Sequence, residues 1–448
     1  MKQCPAFALT RVFRASLLIP SLVAIGHFQH AYAIDYIWDG GAGTAALGGV
    51  ANWNPDGTPA SGDTLIWDGS AASILSLTTG AFGGSSSGVG VTLRIDSGQT
   101  LTIDSTGGIF RLKDITVNSG AGAFTLGNGS GSFQFVLYGS SNTTHVFTNN
   151  SVNTATISSE AFIQNTGNSN EHVNFTGTGN WRVEGTIIQS GTTATSNLTK
   201  QGTGTTTLTG VNTYTGSTTV TQGALVIGGS GSINTSSGVT VNGGTFRYNS
   251  TTNLTTGLTF TSGTVGGSNL SGVNLSVGAN QTLAPANSTG AMSAGDVTFA
   301  TGGTFEFEIN DAAGTAGSTT AGWDLLNPTS LNITADAGQF NLSIISLTDL
   351  QASGLAQNFN SAGSYAWLFV DADSIISTFN ADRFNIETTG FLNSFAGTFG
   401  IGRGDVLGLG DNTQLYITYT GSIPEPSTYA TLTGVFLAAF VVVRRRRR

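Results

Sequence analysis

Cysteine, charge and helical patterning are all scarce in this chain of 448 residues. The single cysteine, Cys4, precedes the first long apolar run, so the rest of the chain can form neither a disulfide nor a thiolate metal site. Charged residues make up only 9% of the sequence. No stretch of a dozen residues keeps the i, i+3, i+4 apolar spacing of an amphipathic helix. Disulfide-rich, cysteine-ligated and helical fold classes are therefore excluded.

Short alternating runs separated by glycine make up most of the chain. The 64 glycines are about twice the average share. The run at 91–95 alternates apolar with polar residues, and after Gly98 a second run follows at 101–103. Alternation gives each strand one buried face, and glycine allows the sharp turn between strands. The same unit recurs at 115–126, 220–227, 239–246, 258–265 and 273–283.

Equivalent apolar positions in these units recur at short, irregular steps. Val220, Val241 and Phe260 follow one another at steps of 21 and 19 residues. Repeats of about 20 residues built from short strands indicate a solenoid. We predict an all-β fold, in which a right-handed parallel β-helix over residues 88–295 precedes a C-terminal β-rich domain over 296–421. A stacked array of β-sandwiches is the alternative. Strands of the C-terminal domain are expected at 305–309, 340–345, 365–370 and 415–419.

The first 33 residues have the composition of a secretory signal peptide. A cationic region and an apolar core precede an Ala-x-Ala cleavage site formed by Ala31 and Ala33. The mature chain is therefore expected to begin near residue 34. The cationic region comprises Lys2, Arg11 and Arg14.

The segment 422–448 combines three features in a fixed order. A Pro-Glu-Pro tripeptide comes first, an apolar run at 429–443 follows, and five arginines end the sequence. Arginines next to a membrane span stay on the cytoplasmic side, so an exported chain would stop in the inner membrane with its body outside. The tripeptide is Pro424, Glu425 and Pro426, and the stop-transfer arginines are Arg444, Arg445, Arg446, Arg447 and Arg448.

This order resembles the PEP-CTERM sorting signal of Gram-negative bacteria, which is read by a membrane enzyme called an exosortase. The resemblance implies that the transmembrane segment 429–443 is a removable address, as in a GPI signal. The alternative is an ordinary single-span anchor. The apolar run of 15 residues, however, falls short of the roughly 20 that a comfortable span needs.

A second motif lies at residues 198–229. It reads Leu-Thr-Lys-Gln-Gly-Thr-Gly from Leu198, then Asn-Thr-Tyr-Thr-Gly from Asn212, and it continues through Val220 and Gly223 to Leu225. The motif resembles the autotransporter-associated β-strand repeat, which implies β-helical passenger structure. Only one good copy is recognisable, so the neighbouring coils are expected to be diverged repeats. Alternation predicts that Tyr214, Val220 and Leu225 face the core.

Tryptophan is concentrated in the segment 34–87. Two Trp-Asp-Gly triplets, at Trp38 and Trp67, flank an Asn-Trp-Asn triplet at Trp53. We favour an N-terminal cap, because the open end of a solenoid needs a seal. A carbohydrate platform, with the flat indoles stacked on sugars, is the alternative.

Candidate catalytic groups are few. Two carboxylate pairs, Glu306 with Glu308 and Asp371 with Asp373, lie at the spacing that places both members on one face of a strand. We interpret Glu306 and Glu308 as the solvated face of an amphipathic strand, although β-helix glycan-cleaving enzymes also use such acids. We expect no metal site and no cofactor. The other candidates considered and set aside are His145, His172, the Gly-x-Ser-x-Gly match at 84–88 and the Arg-Gly-Asp triplet at 403–405.

Net charge narrows the choice of partners. Eight of the 16 basic residues, but only one of the 25 acids, lie in the two predicted terminal signals. The exported body therefore carries a formal charge near −16. Such a body repels nucleic acid, which we exclude as a partner.

These features together predict an exported, non-enzymatic protein of the cell surface or of the exopolysaccharide matrix. Its expected partners are an exosortase, the inner membrane during sorting, and extracellular polysaccharide or neighbouring surface proteins. Many weak hydroxyl and amide contacts along a long surface would supply its adhesion. The alternative is a β-helix polysaccharide lyase or glycoside hydrolase.

Overall fold

The computed structural model describes residues 33–422, with gaps at 42–46, 48, 61, 71–73, 78–89, 99, 106–108, 128–132, 138–140, 160, 165–168, 190, 375 and 377. The predicted leader up to residue 32 and the predicted sorting signal from residue 423 onward lie outside the described residues. Over the part of the chain that is described, no helix has both the length and the apolar character to cross a membrane.

Short strands dominate the N-terminal half of the described chain. Between the first two strands lies a 3₁₀ turn at Val50–Asn52. The strands are β1 (Asp35–Trp38), β2 (Trp53–Asn54), β3 (Thr64–Trp67), β4 (Ile74–Leu77), β5 (Val91–Ile95), β6 (Leu101–Ser105), β7 (Ile109–Val117), β8 (Phe124–Leu126), β9 (Phe133–Leu137), β10 (Thr143–Asn149), β11 (Ala155–Ile157), β12 (Ala161–Gln164), β13 (Glu171–Thr176), β14 (Trp181–Val183), β15 (Ile187–Ile188), β16 (Leu198–Lys200), β17 (Thr205–Leu208), β18 (Thr218–Val220) and β19 (Ala224–Gly229).

Longer strands appear in the C-terminal half. A 3₁₀ turn at Ala381–Arg383 and one helical turn, α1 (Gly404–Leu407), interrupt them. The strands are β20 (Val239–Ser250), β21 (Leu258–Gly267), β22 (Asn269–Leu270), β23 (Leu275–Val277), β24 (Gln281–Pro285), β25 (Ala291–Phe299), β26 (Thr304–Ile309), β27 (Thr315–Ala316), β28 (Gly322–Trp323), β29 (Leu325–Ile333), β30 (Phe340–Ser346), β31 (Ser364–Asp371), β32 (Phe384–Gly390), β33 (Thr398–Arg403) and β34 (Gln414–Thr420).

Parallel pairing between strands of successive coils makes the fold a β-helix. Column A runs β1, β3, β5, β7, β10, β13, β16, β18, β20 and β21. Column B runs β4, β6, β8, β11, β14, β17, β19, β20, β21, β24, β26, β30 and β32. The β-sandwich alternative is wrong, because sandwiches are built from antiparallel pairs.

The register confirms the repeat steps expected from the sequence. Val220 pairs with Val241, and Val241 pairs with Phe260, at the predicted steps of 21 and 19 residues. Other coils are longer; Thr148 pairs with Thr176 at a step of 28. Coil length therefore varies while strand register is kept, because the extra residues lie at the corners between columns.

One apolar interior runs the length of the coils. Alternate side chains of each strand point inward, as the alternation of the sequence requires. In column A the paired inward residues are Leu65, Leu93, Ile115, Phe147, Phe175, Lys200, Val220 and Val241, each at most 2% exposed. The lysine is the one charged member of this ladder.

The inward ladder of column B contains a buried hydroxyl. Thr206 is paired between Trp181 and Leu225 and is fully buried, and its Oγ1 has no hydrogen-bond partner. Replacing Thr206 by valine keeps the shape and removes the unpaired group, so we expect a gain of about 1 kcal/mol in stability. Thr207→Val, at the neighbouring outward position, is the control and should change stability little. Urea denaturation of both variants checks this, and equal midpoints would contradict it.

The predicted cap tryptophans are buried together at the N-terminal end. Trp53 lies edge-to-face between Trp38 and Trp67, with ring centroids 5.1 and 5.5 Å apart. Its indole Nε1 donates to the carbonyl of Leu47 at 2.8 Å. Strand β2 pairs antiparallel with β1 and so covers the edge of the first coil. Because the three indoles are at most 5% exposed, their faces are not available to stack on sugars.

The C-terminal region contains all four strands expected there. A second sheet runs β22, β25, β29, β31, β34 and β33, with β23 paired to β25. The predicted domain boundary at 295/296 lies inside β25, whose parallel pairing with β29 continues on both sides of it. The last pairs of this sheet, β31 with β34 and β33 with β34, are antiparallel. The parallel coils therefore end against an antiparallel three-stranded unit.

Candidate functional site

An open groove of about 570 Å³ runs along the outer face of column B. Outward residues of consecutive coils form its floor, since Arg182 pairs with Thr207, Thr207 with Val226, and Gly228 with Asn249. Gly228 adds no side chain to the groove at its position. The lining residues are Thr154, Asn180, Trp181, Arg182, Thr205, Thr207, Val226, Gly228, Gly229, Asn249 and Asn287.

The groove is polar but carries little net charge. Its cation, Arg182, donates from Nε to Glu184 Oε1 at 2.5 Å, and both side chains are partly exposed. Asn180 is fixed in place, because its Oδ1 accepts from the backbone amide of Thr205 at 2.9 Å. Amides and hydroxyls are therefore the groups that the groove offers to a ligand.

A cluster of carboxylates lies beyond one end of the groove. Asp324 is fully buried, and its two oxygens accept from the backbone amides of Gly290 and Glu308, both at 2.9 Å. It thereby ties the loop 286–290, which carries the groove residue Asn287, to strand β26. Arg247 reaches the same loop, donating from Nη1 to the carbonyl of Ala286 at 2.5 Å.

Burial makes these acids hard to ionise. Burial, and then the charge of Glu306, raise the pKa of Glu308 to about 7. Burial also raises the pKa of Glu306, against the opposing effect of Arg247. The pKa of Asp324 lies well above its usual range, because the side chain is buried and Glu308 adds its charge.

The interpretation of Glu306 and Glu308 as a solvated face is wrong. Both point outward from β26, as alternation requires, but they are half-buried. The loop 286–290 is tied to the backbone of β26 through Asp324, and Gln351 also holds it, since its Oε1 accepts from Ser288 Oγ at 2.5 Å. The buried acid Asp324 was missed by sequence reasoning, because an isolated aspartate between apolar residues carries no distinctive signal.

The predicted repeat lies in two successive coils, since it contains β16 and β18 of column A and β17 and β19 of column B. Tyr214, Val220 and Leu225 are buried, as predicted. Lys200 takes the place of an apolar residue in the column A ladder, and burial lowers its pKa to about 8. Its Nζ donates to the carbonyl oxygens at 201 and 202, at 2.9 and 2.7 Å, and to the one at 222 in the next coil, at 3.4 Å. The buried ammonium therefore connects two successive turns.

Residues 198–227 match the family model of the passenger-associated transport repeat. The match agrees with the autotransporter-associated repeat that the sequence predicts at 198–229. No curated protein matches the chain. The transport repeat and the parallel β-rich fold together indicate a β-helical, passenger-like surface protein.

The coil before the transport repeat has the same spacing of strands and glycines, as expected for a diverged repeat. Strand pairing places Val173, Phe175 and Val183 opposite Leu198, Lys200 and Leu208, always 25 residues apart. Glycines recur at the same offset, at 177 and 202, 179 and 204, and 185 and 210. The sequence prediction of diverged neighbouring repeats did not single out this coil, because Phe175 stands where the repeat has lysine and Trp181 stands where it has threonine.

The predicted site residues at the two ends remain untested. Of the cleavage pair, Ala33 is described and exposed, whereas Ala31 lies outside the described residues. The tripeptide Pro424, Glu425 and Pro426 and the arginines 444–448 also lie outside them, as does the serine run at 84–88.

The other candidates lie apart from the groove. His145 is buried, with Nδ1 2.6 Å from the carbonyl of Lys113, and burial lowers its pKa. Asp371 ends β31 on the second sheet, and Asp373 follows in a bend. The guanidinium of Arg403 donates two hydrogen bonds to the carboxylate of Asp405, at 2.7 and 3.0 Å. Within the described ranges, no three His, Cys, Asp or Glu side chains are grouped to hold a metal ion.

Proposed function

We propose that the chain is an exported, non-enzymatic β-solenoid of the cell surface or the exopolysaccharide matrix of a Gram-negative bacterium. The observation that carries the proposal is the transport repeat at 198–227, which forms coils of a continuous parallel β-helix. Repeats of this type belong to passenger structures, and a passenger is the exported part of its protein.

Sorting by an exosortase accounts for the two ends of the sequence. The leader would be removed near Ala33, and the apolar run 429–443 with its arginines would hold the chain in the inner membrane for a time. Cleavage near Pro424, Glu425 and Pro426 would then release the body to the cell surface or the matrix.

Adhesion in a biofilm is the proposed role of the released body. The long outer faces of the columns carry hydroxyls and amides, and many weak contacts with extracellular polysaccharide or neighbouring surface proteins add up to firm attachment. The body charge near −16 favours uncharged or cationic partners over nucleic acid.

The mass of the mature protein tests the proposal. The full-length chain is expressed in a host with its exosortase and in a host without it, and intact-mass spectrometry locates the C-terminus. We expect loss of the residues beyond the Pro-Glu-Pro tripeptide only when the exosortase is present. Retention of Arg448 in both hosts would mean a permanent inner-membrane anchor and would refute the matrix assignment.

A glycan-cleaving enzyme is the second candidate, favoured by one observation. Glu308 has a pKa raised to about 7, which suits a general acid, and Asp324 ties its backbone amide to the loop that carries the groove residue Asn287. Incubation with matrix polysaccharide should then release products, and Glu308→Gln or Glu306→Gln should abolish the release. Absence of products from the unmodified protein would exclude this candidate. Glu387→Gln is the control, because Glu387 is an exposed carboxylate that is not among the candidate catalytic acids.

A further inference from the structure

The groove on column B has the dimensions of a site for an extended chain. Its floor crosses four successive strands, at Arg182, Thr207, Val226 and Asn249. Three inter-strand spacings correspond to roughly 14 Å. Strand spacing repeats at each step, so the groove offers regularly spaced positions to a ligand that also repeats along its length.

The lining selects for an uncharged ligand. Asn180, Thr205, Thr207, Asn249 and Asn287 supply donors and acceptors without charge. The one cation that lines the groove, Arg182, is already paired with Glu184. An anionic polymer would have to compete with that carboxylate and would also meet the repulsion of a body charged near −16.

The groove has free space at one edge because Gly228 has no side chain there. A Cβ on Gly228 would have only Thr207 Cγ2 within contact range, at 4.0 Å. Larger side chains at this outward position would therefore fill the groove without touching the backbone. The loop 286–290 contributes Asn287 to the lining, and Asp324 fixes that loop by its bond to Gly290.

We propose that this groove binds one strand of a linear, uncharged polysaccharide, which lies across β14, β17, β19 and β20. Hydroxyls of successive sugar units replace water at the amides of Asn180, Asn249 and Asn287. Val226 supplies the apolar contact for a sugar face. The inference rests on the proposed function, because such polymers surround an exported protein.

Filling the groove is the test. Binding of a soluble linear neutral glucan to the purified full-length chain is measured by isothermal titration calorimetry, for the unmodified protein and for Gly228→Leu. We expect Gly228→Leu to weaken binding by about tenfold or more. Gly257→Leu is the matched control, because Gly257 is exposed, lies outside the groove and has open space for a Cβ. It should bind as the unmodified protein does.

A charged polymer and a milder variant complete the design. Polygalacturonate of similar length should bind more weakly than the neutral glucan, and Asn249→Ala should weaken glucan binding while circular dichroism stays unchanged. No glucan binding by the unmodified protein, equal binding by the two leucine variants, or preference for polygalacturonate would each overturn the inference. None of these outcomes affects the mass of the mature C-terminus, so the export proposal stands or falls separately.

Discussion

Replacing Gly204 by alanine is expected to destabilise the protein by about 3 kcal/mol, at the upper end of the range for overpacking. Gly204 is buried at a corner of the transport repeat, facing the previous coil. A Cβ there would overlap the carbonyl oxygen of Gly179 and would lie 2.7 Å from its carbonyl carbon. Because the obstacle is backbone, the two coils must separate, which strains the bond from the Gly204 amide to the carbonyl of Gly177 at 3.1 Å.

Gly228 provides a matched control for the clash at Gly204. Gly228→Ala adds the same methyl group where the nearest atom, Thr207 Cγ2, is 4.0 Å away. It should change stability little, and fewer unfolded conformations should favour it slightly. Urea denaturation and limited proteolysis of the two variants make the comparison. Equal midpoints for Gly204→Ala and Gly228→Ala would show that the coils tolerate a side chain at this corner.

Neutralising Glu308 is expected to stabilise the protein at pH 8 by about 2 kcal/mol, after discounting for its partial exposure. The pKa of Glu308 in the folded protein is raised to about 7, so the folded state holds a proton that the unfolded state has released between about pH 4.5 and 7. The stability from this group is complete below about pH 4.5 and is lost as the pH rises through 7. Glu308→Gln keeps the neutral form at every pH.

The difference between the two proteins should therefore depend on pH. Thermal midpoints of the unmodified protein and of Glu308→Gln should differ by a few degrees at pH 8 and converge near pH 4.5. Glu387→Gln is the control, because Glu387 is exposed on the last strand of column B, in the outward row that contains Glu306. A difference that stayed constant from pH 4.5 to 8 would show that Glu308 ionises like a surface carboxylate.

The sequence predicted the architecture because the β-helix repeats one local rule. Alternation in segments such as 91–95 and 239–241 identified strands with one buried face, and the steps between Val220, Val241 and Phe260 identified the coil. Both signals survive divergence, since they require only apolar character at alternate positions. The match at 198–227 adds the repeat family on the same residues.

The groove and the buried carboxylates of β26 and Asp324 could not be predicted, because both depend on contacts between residues that are distant in the sequence. Alternation places Glu306 and Glu308 on the outer face but does not reveal their partial burial, and the loop 286–290 is tied to β26 by Asp324 and held by Gln351, both from later in the chain. The environment of Lys200 could not be predicted either. Alternation places its side chain inside, but the carbonyl oxygens that accept from its ammonium lie at the corners between strands. Periodicity carries no information about such contacts.

The 25-residue offset between the transport repeat and the preceding coil means that a whole coil can be gained or lost as one unit. Val173 and Leu198, and likewise Val183 and Leu208, occupy interchangeable rungs of the same columns. A duplication or deletion of residues 173–197 would thus lengthen or shorten the protein by one rung and leave the register of every other strand unchanged. The length of such a protein can therefore change by one coil at a time, because the inward residues of the remaining coils still match.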